Sequence, residues 1–183
     1  MKSLEQTYRP LLEAVSFAAR AHHGQMRKDG KTPYASHVFR VCLILRHVFG
    51  LDHPAMLTAA LLHDTIEDTT TDFDDVREQY GEEVAEWVAC LTKDKRLQDD
   101  EREELYRAGL AAAPWQVKAC KLADIFDNLL DSRHLSAERR RRTVHRSRFY
   151  LDALQQPGLP DPVRRASQLV ARLLAEVESS LTC

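Results

Sequence analysis

The sequence predicts an all-α protein of one domain, on three observations. Apolar residues recur at three- and four-residue spacing in segment after segment. Glycines and prolines are few, six and seven, and they fall between those periodic segments and so act as punctuation. No run alternates apolar and polar residues convincingly enough for a strand. A chain of 183 residues is long enough to bury one proper core.

The elements follow in order. "LEQTYRPLLEAVSFAARAH" carries a helical stripe of Leu11, Leu12, Val15, Ala18 and Ala19. Gly24, Gly30 and Pro33 make residues 24–35 a loop. Ser36 is placed as N-cap of a second helix whose buried face is Val38, Val41, Cys42, Leu45 and Val48, ending at Gly50. Asp52 and Pro54 open a third helix, "PAMLTAALLHDTIED". A polar turn leads to a short helix from near Asp72 to Gly81, and Val84, Trp87, Val88 and Leu91 mark one face of the next. "KDKRLQDDERE" reads as a charged loop entering the helix that bears Leu105 and Leu110. Pro114 suits the first turn of "PWQVKACKLADIFDNLLDS". A basic helix runs from Ser136 to about Gln155, "QQPGLPDP" interrupts it, and a last amphipathic helix covers about 162–180.

Composition excludes several classes. The chain is 44% hydrophobic and 30% charged with a formal net charge of −2, which gives no global argument for nucleic-acid or membrane binding. No apolar run approaches the ~20 residues that span a bilayer. "MKSLEQTYRP" lacks the apolar core of a secretory signal, so a cytoplasmic protein is expected. Cys42, Cys90, Cys120 and Cys183 form no C-x-x-C pair, which argues against a zinc knuckle or a disulfide scaffold. The first three stand among apolar residues and are expected to serve as small hydrophobes, with terminal Cys183 exposed.

The chemistry concentrates in "AALLHDTIEDT". On one continuous helix His63 would lie over Glu67 and Asp64 over Asp68, two polar stripes opposite the apolar Met56, Ala59, Ala60 and Leu62. Carboxylates crowded in a low dielectric repel, and a cation relieves them. His beside Asp makes a suitable ligand pair. Further ligands must come from other helices. His37 begins the second helix, and Asp124 sits among apolar residues in "CKLADIFDNLL", where a buried carboxylate needs a partner or a metal. Lys121, Asp124 and Asn128 share a face of that helix.

The order His37, His63-Asp64, Asp124 resembles the H…HD…D signature of the HD-domain metal-dependent phosphohydrolases. "RKDGKTPYASH", "AALLHDTIEDT", "FDDVREQYGEEVAEWVACLTKDK" and "VKACKLADIFDNL" together resemble the hydrolase domain of the RelA/SpoT family, over about residues 10–155. The length matches the single-domain small alarmone hydrolases, which include the metazoan Mesh1-type enzymes. The resemblance implies a single-domain HD-type helical bundle over residues 1–183. It implies one divalent ion, usually manganese, on His37, His63, Asp64 and Asp124. Glu67 and Asp68 would be the acid/base and water-orienting pair. Arg27 and Lys28 would contact the nucleotide, with the arginine near the base, and Asn128 would line the nucleoside pocket. Arg146 and Tyr150, one turn apart, would offer a phosphate partner and an aromatic or hydroxyl contact.

The reaction so implied is hydrolysis of the 3′-diphosphate of ppGpp or pppGpp to GDP or GTP and pyrophosphate, which lowers a stringent-response signal. The partner implied is a small-molecule nucleotide, with no nucleic acid or membrane; the oligomeric state stays open. One departure bears on the base. The family pattern runs like "LADKLYNLRD", where this chain has "LADIFDNLLD", so Ile125, Asp127 and Leu130 replace a basic residue, an aromatic or His, and an arginine. Asp127 either faces solvent or accepts from an exocyclic amine, and the second option keeps (p)ppApp as an alternative to guanine substrates. The six arginines of "ERRRRTVHRSR" cannot all face a small ligand and are read mainly as a solvated face or a dimer contact.

Overall fold

The computed structural model describes residues 4–181, and Cys183, expected to be exposed, lies outside them. Helices α1 (Leu4–Ala21), α2 (Ala35–Leu43), α3 (Pro54–Leu62) and the single turn α4 (Thr65–Asp68) form the first half. Helices α5 (Phe73–Tyr80), α6 (Glu82–Leu91), α7 (Asp99–Ala112), α8 (Trp115–Asp131), α9 (Ala137–Leu154) and α10 (Asp161–Ser179) complete the bundle. A π-helical stretch, Ile44–Val48, extends α2, and a 3-10 turn, Ser132–His134, follows α8. Two of the expected punctuation residues instead lie inside helices, Pro10 in α1 and Gly109 in α7.

Local chemistry explains several boundaries. Asp72 accepts a hydrogen bond from the Asp75 amide while Asp75 accepts one from the Asp72 amide, a reciprocal cap that starts α5. Gly81, at φ +90°, turns the chain between α5 and α6 in a conformation that side chains resist. Ser136, where the basic helix was expected to begin, caps α9 through its hydroxyl. Ser36 does not cap α2: the helix starts two residues earlier, at Ala35, with Tyr34 at the cap position. His53, rather than Asp52, caps α3 through its ring. The acidic residues Asp99, Asp100 and Glu101, expected in a loop, instead form the first turn of α7, where the helix dipole favours them.

Helix α3 is the centre of the molecule. It packs against α1, α2, α6 and α8, and Met56 through Leu62 are all buried. The expected apolar face opposite polar stripes is therefore corrected: α3 is apolar on every side because helices surround it, and its polar cluster sits at its C-terminal end. Of the cysteines, Cys120 is buried and Cys42 half-buried, but Cys90 is exposed, contrary to its expected role as a small core hydrophobe. Among the described residues no helix is long and apolar enough to cross a membrane.

Candidate active site

The regular helix stops at His63 and Asp64, and side chains take over its last carbonyls. His63 Nδ1 lies 2.8 Å from the Ala60 carbonyl, and Thr65 Oγ1 donates to the Leu62 carbonyl at 2.7 Å. Those bonds satisfy groups that a helix end leaves free. They also fix the His63 ring with the Nδ1 proton on a carbonyl and Nε2 turned inward. The turn resumes with Asp68 N donating to Asp64 O at 2.9 Å, which carries Glu67 and Asp68 onward.

The imidazoles of His37 and His63 meet edge to face, with ring centroids 5.2 Å apart. His37 Nε2 stands 3.2 Å from Asp124 Oδ1 and 3.6 Å from Asp64 Oδ2. His63 Nε2 stands 2.9 Å from Asp64 Oδ2 and 3.9 Å from Asp124 Oδ1. Ligand atoms of His37, His63 and Asp124 all lie within 4.8 Å of one another, and all three residues are buried. His63 Nε2 is nevertheless a buried atom without an aligned hydrogen-bond partner. Two inward imidazole nitrogens, one of them that orphaned Nε2, and two carboxylates fit a divalent cation, whose nitrogen and oxygen ligands they supply.

The electrostatics agree. Burial works to lower the His63 pKa, but Asp64 and Asp124 outweigh it and raise the value to about 9. Ligation requires the neutral ring, so an entering ion must displace that proton. Because those carboxylates favour the proton, affinity for the ion should fall as pH falls. Calorimetric titration of divalent ion in buffers of differing ionisation enthalpy should therefore show proton release at pH 7 and tighter binding at pH 8.5. PH-independent affinity would contradict the assignment.

Other side chains hold this centre. Tyr34 donates its hydroxyl to Asp64 Oδ2 at 2.6 Å, and burial together with Asp64 drives the phenol far above its ordinary range. Lys121 donates to Asp124 Oδ2 at 2.7 Å, while Asn128 donates to Asp124 Oδ1. Glu67 accepts the Lys93 amide at 2.9 Å. Burial, and behind it the nearby Asp64, raise the Glu67 pKa above its ordinary value, although the Lys93 amide opposes them. Lys95 bridges the Glu67 carbonyl and the Asp68 carboxylate, each at 2.6 Å.

A cavity of about 570 Å³ opens from this centre. Acidic Asp64, Glu67, Asp68 and Asp124 line one part, and Lys28, Lys93, Lys121, Arg139, Arg142 and Arg146 also line it. Asn128 and Tyr150 contribute to its wall, so Lys28, Asn128, Arg146 and Tyr150 are all brought there. Tyr150 donates to Glu103, which also accepts from Lys93 at 2.9 Å. Arg27 lies elsewhere: it is buried, donates to Asn128 Oδ1 at 3.1 Å and Asp131 Oδ2 at 3.0 Å, and is not among the lining residues. Its loop is pinned, with Arg27 N donating to Thr32 O and Asp29 accepting from both Lys31 and Thr32 amides.

Sequence reading missed Lys93 and Tyr34, although both stand inside motifs quoted for the resemblance. The arginine run needs correction as well. Arg139, Arg142 and Arg146 recur on one helix face and reach the cavity, whereas Arg140 donates to Ser180 and Arg148 pairs with Glu178. Asp127 neither faces solvent nor offers itself to a base: it is 1% exposed and engaged by His37 and Arg40.

A helical bundle closing on two histidines and two aspartates in this order defines an HD-type domain. The HD domain family matches residues 14–150. The guanosine-3′,5′-bis(diphosphate) 3′-pyrophosphohydrolase MESH1 of Xenopus tropicalis is 42% identical over 129 residues, covering 70% of this chain and 72% of that protein. The human protein of the same name is 42% identical over 127 residues, 69% of each. A solved metazoan ortholog of SpoT that hydrolyses ppGpp and plays a role in starvation responses superposes with a TM-score of 0.79 at 32% identity, covering 94% of this chain and 96% of that one. The chain belongs to the HD-domain family, among the homologues of the Mesh1 pyrophosphohydrolases.

Proposed function

We propose that this protein is an alarmone 3′-pyrophosphohydrolase that cleaves ppGpp or pppGpp to GDP or GTP and pyrophosphate, as a cytoplasmic brake on stringent-response signalling. The observation that carries the reading is one cavity lined by His37, Asp64 and Asp124 of the metal-type centre and by six cationic side chains. That combination suits a small molecule with phosphate groups at more than one position. His37, His63, Asp64 and Asp124 would hold one divalent ion, with manganese the proposed metal. Such an ion supplies Lewis acidity toward water and phosphoryl oxygen.

The chain's own groups would do the rest. Glu67 takes the proton of the attacking water, and Asp68, fixed by Lys95, helps to orient that water. Water adds at phosphorus, the bond from phosphorus to the ribose 3′ oxygen breaks, and that oxygen takes up a proton. Lys121 lines the cavity beside Asp124 and would meet a phosphoryl group bound there. Lys28, Arg139, Arg142 and Arg146 would neutralise the remaining phosphates. Asn128 would contact the nucleoside, and Tyr150 would form part of the wall. Arg27 would act on the nucleotide indirectly, by holding Asn128. Asp127 gives no support to an adenine preference, because its oxygens already serve His37 and Arg40.

The test is a product assay with manganese on ppGpp, pppGpp, ppApp and pppApp, with Asp64→Ala as control. Pyrophosphate should be released from the guanine pair, cease on chelation and return with added manganese. Turnover confined to the adenine pair would reassign the substrate. No turnover by protein that holds its metal would leave a non-cleaving sensor or another HD phosphohydrolase.

A further inference from the structure

Both inward histidines must present Nε2 to the same point, and the two are fixed by different means. For His63 the Nδ1 partner is local, the Ala60 carbonyl one turn back. For His37 no local carbonyl serves. Its Nδ1 lies 2.6 Å from Oδ2 of Asp127, a residue on a different helix. Asp127 is itself 1% exposed, so its carboxylate needs partners. It has them: Arg40 closes a fork on it, Nε to Oδ1 at 2.6 Å and Nη2 to Oδ2 at 3.0 Å. Arg27 Nη2 stands 3.6 Å away on Oδ2.

We propose that Asp127 is the positioning residue of the metal centre, holding the Nδ1 proton of His37 so that Nε2 is bare and aimed at the ion. The helices supply the arrangement. His37 and Arg40 are three apart on α2 and share a face. Asp124 and Asp127 are three apart on α8, so one turn delivers both a ligand and the carboxylate that orients another ligand. A carboxylate behind a ligating imidazole fixes its tautomer and orientation and raises its basicity, and losing such a partner typically weakens metal affinity about 10- to 100-fold. The Arg40 fork, with Arg27 3.6 Å away, holds the Asp127 carboxylate in place against His37. This inference rests on the reading of the four residues as a metal site and is independent of which nucleotide is cleaved.

The test measures metal rather than turnover. Manganese affinity is read from the spin-resonance signal of the free ion, on the full chain, for the parent, Asp127→Asn, Arg40→Gln and His37→Ala. Asparagine keeps the shape, but it must direct its amide group toward either Arg40 or His37, and so opposes one of them. Its manganese Kd should rise about 10- to 100-fold, with the thermal melt of the metal-free protein checked in parallel. Arg40→Gln, on the half-exposed rim, should weaken binding by a smaller factor. If both variants bind within twofold of the parent while His37→Ala loses the ion, the proposal is overturned and the metal site stands. A parent that holds no manganese overturns both.

If Asp127→Asn does not fold, cadmium-loaded parent protein with nitrogen-labelled histidine decides. Spin coupling of the cadmium to His37 Nε2, with a proton retained on Nδ1, supports the proposal. Coupling to Nδ1 overturns it.

Discussion

Replacing Glu67 by glutamine is expected to lower kcat for alarmone cleavage on the order of 10²- to 10⁴-fold, the range for losing a positioned general base. KM and bound metal should stay near the parent values. Glutamine keeps a carbonyl oxygen where the Lys93 amide donates at 2.9 Å, so the side chain keeps its placement and loses only its ability to take a proton. The same residue should set the acid limb of the pH profile. Burial raises its pKa above the ordinary value of 4.5. A base works only when deprotonated, so the parent loses activity as pH falls through that raised value, and Glu67→Gln should lose this limb. A variant that keeps kcat within a few-fold, or whose activity drops only in step with lost metal, would remove Glu67 from the proton-transfer role.

Local chemistry carries part of this fold and site in the sequence, and contacts between distant helices set the rest. Helix segments were legible because their apolar spacing is local, and the starts read near Asp72 and Ser136 coincide with residues that cap those helices. Asp124 stood out because a carboxylate among apolar neighbours has few stable explanations, whereas the grouping of His37, His63, Asp64 and Asp124 came from the resemblance to the HD-domain phosphohydrolases. What stayed hidden was set by other helices. The burial of α3 on all sides depends on α1, α2, α6 and α8 surrounding it. The break at His63 follows from side chains capturing carbonyls, which a periodic pattern does not encode. Asp127 looked like a solvent-facing or base-facing departure because its partners, His37 and Arg40, are 90 and 87 residues away in the chain. The arginine run divided its members by helix face, yet only the position of α9 determined which face met the cavity.

Asp124→Ala should differ from Asp64→Ala in one measurable respect, although both should abolish turnover. Beyond its proposed role toward the ion, Asp124 holds a charged partner. Its Oδ2 accepts from Lys121 at 2.7 Å, and the Lys121 side chain is 11% exposed. Burial works to lower the Lys121 pKa, yet Asp124 outweighs it and the ammonium stays charged. Deleting one partner of such a pair leaves a buried charge alone, at a cost of about 3–5 kcal/mol. Asp64 is more exposed, with 17% of its side chain accessible, and its Oδ2 faces the Tyr34 hydroxyl and the His63 ring, which unlike a lysine ammonium can readily give up its proton once Asp64 is removed. In denaturant titrations of the metal-free proteins, Asp124→Ala should therefore fall well below the parent and Asp64→Ala should lose less. Combining Asp124→Leu with Lys121→Met replaces both charges with apolar groups, a change that is often neutral or stabilising for buried pairs. That double variant should recover most of the lost stability and remain inactive, because the ligand and the ammonium facing the cavity are both gone. Equal stability of Asp124→Ala and the parent would show that Lys121 reaches solvent or another carboxylate once Asp124 is removed, and would confine Asp124 to its role toward the ion.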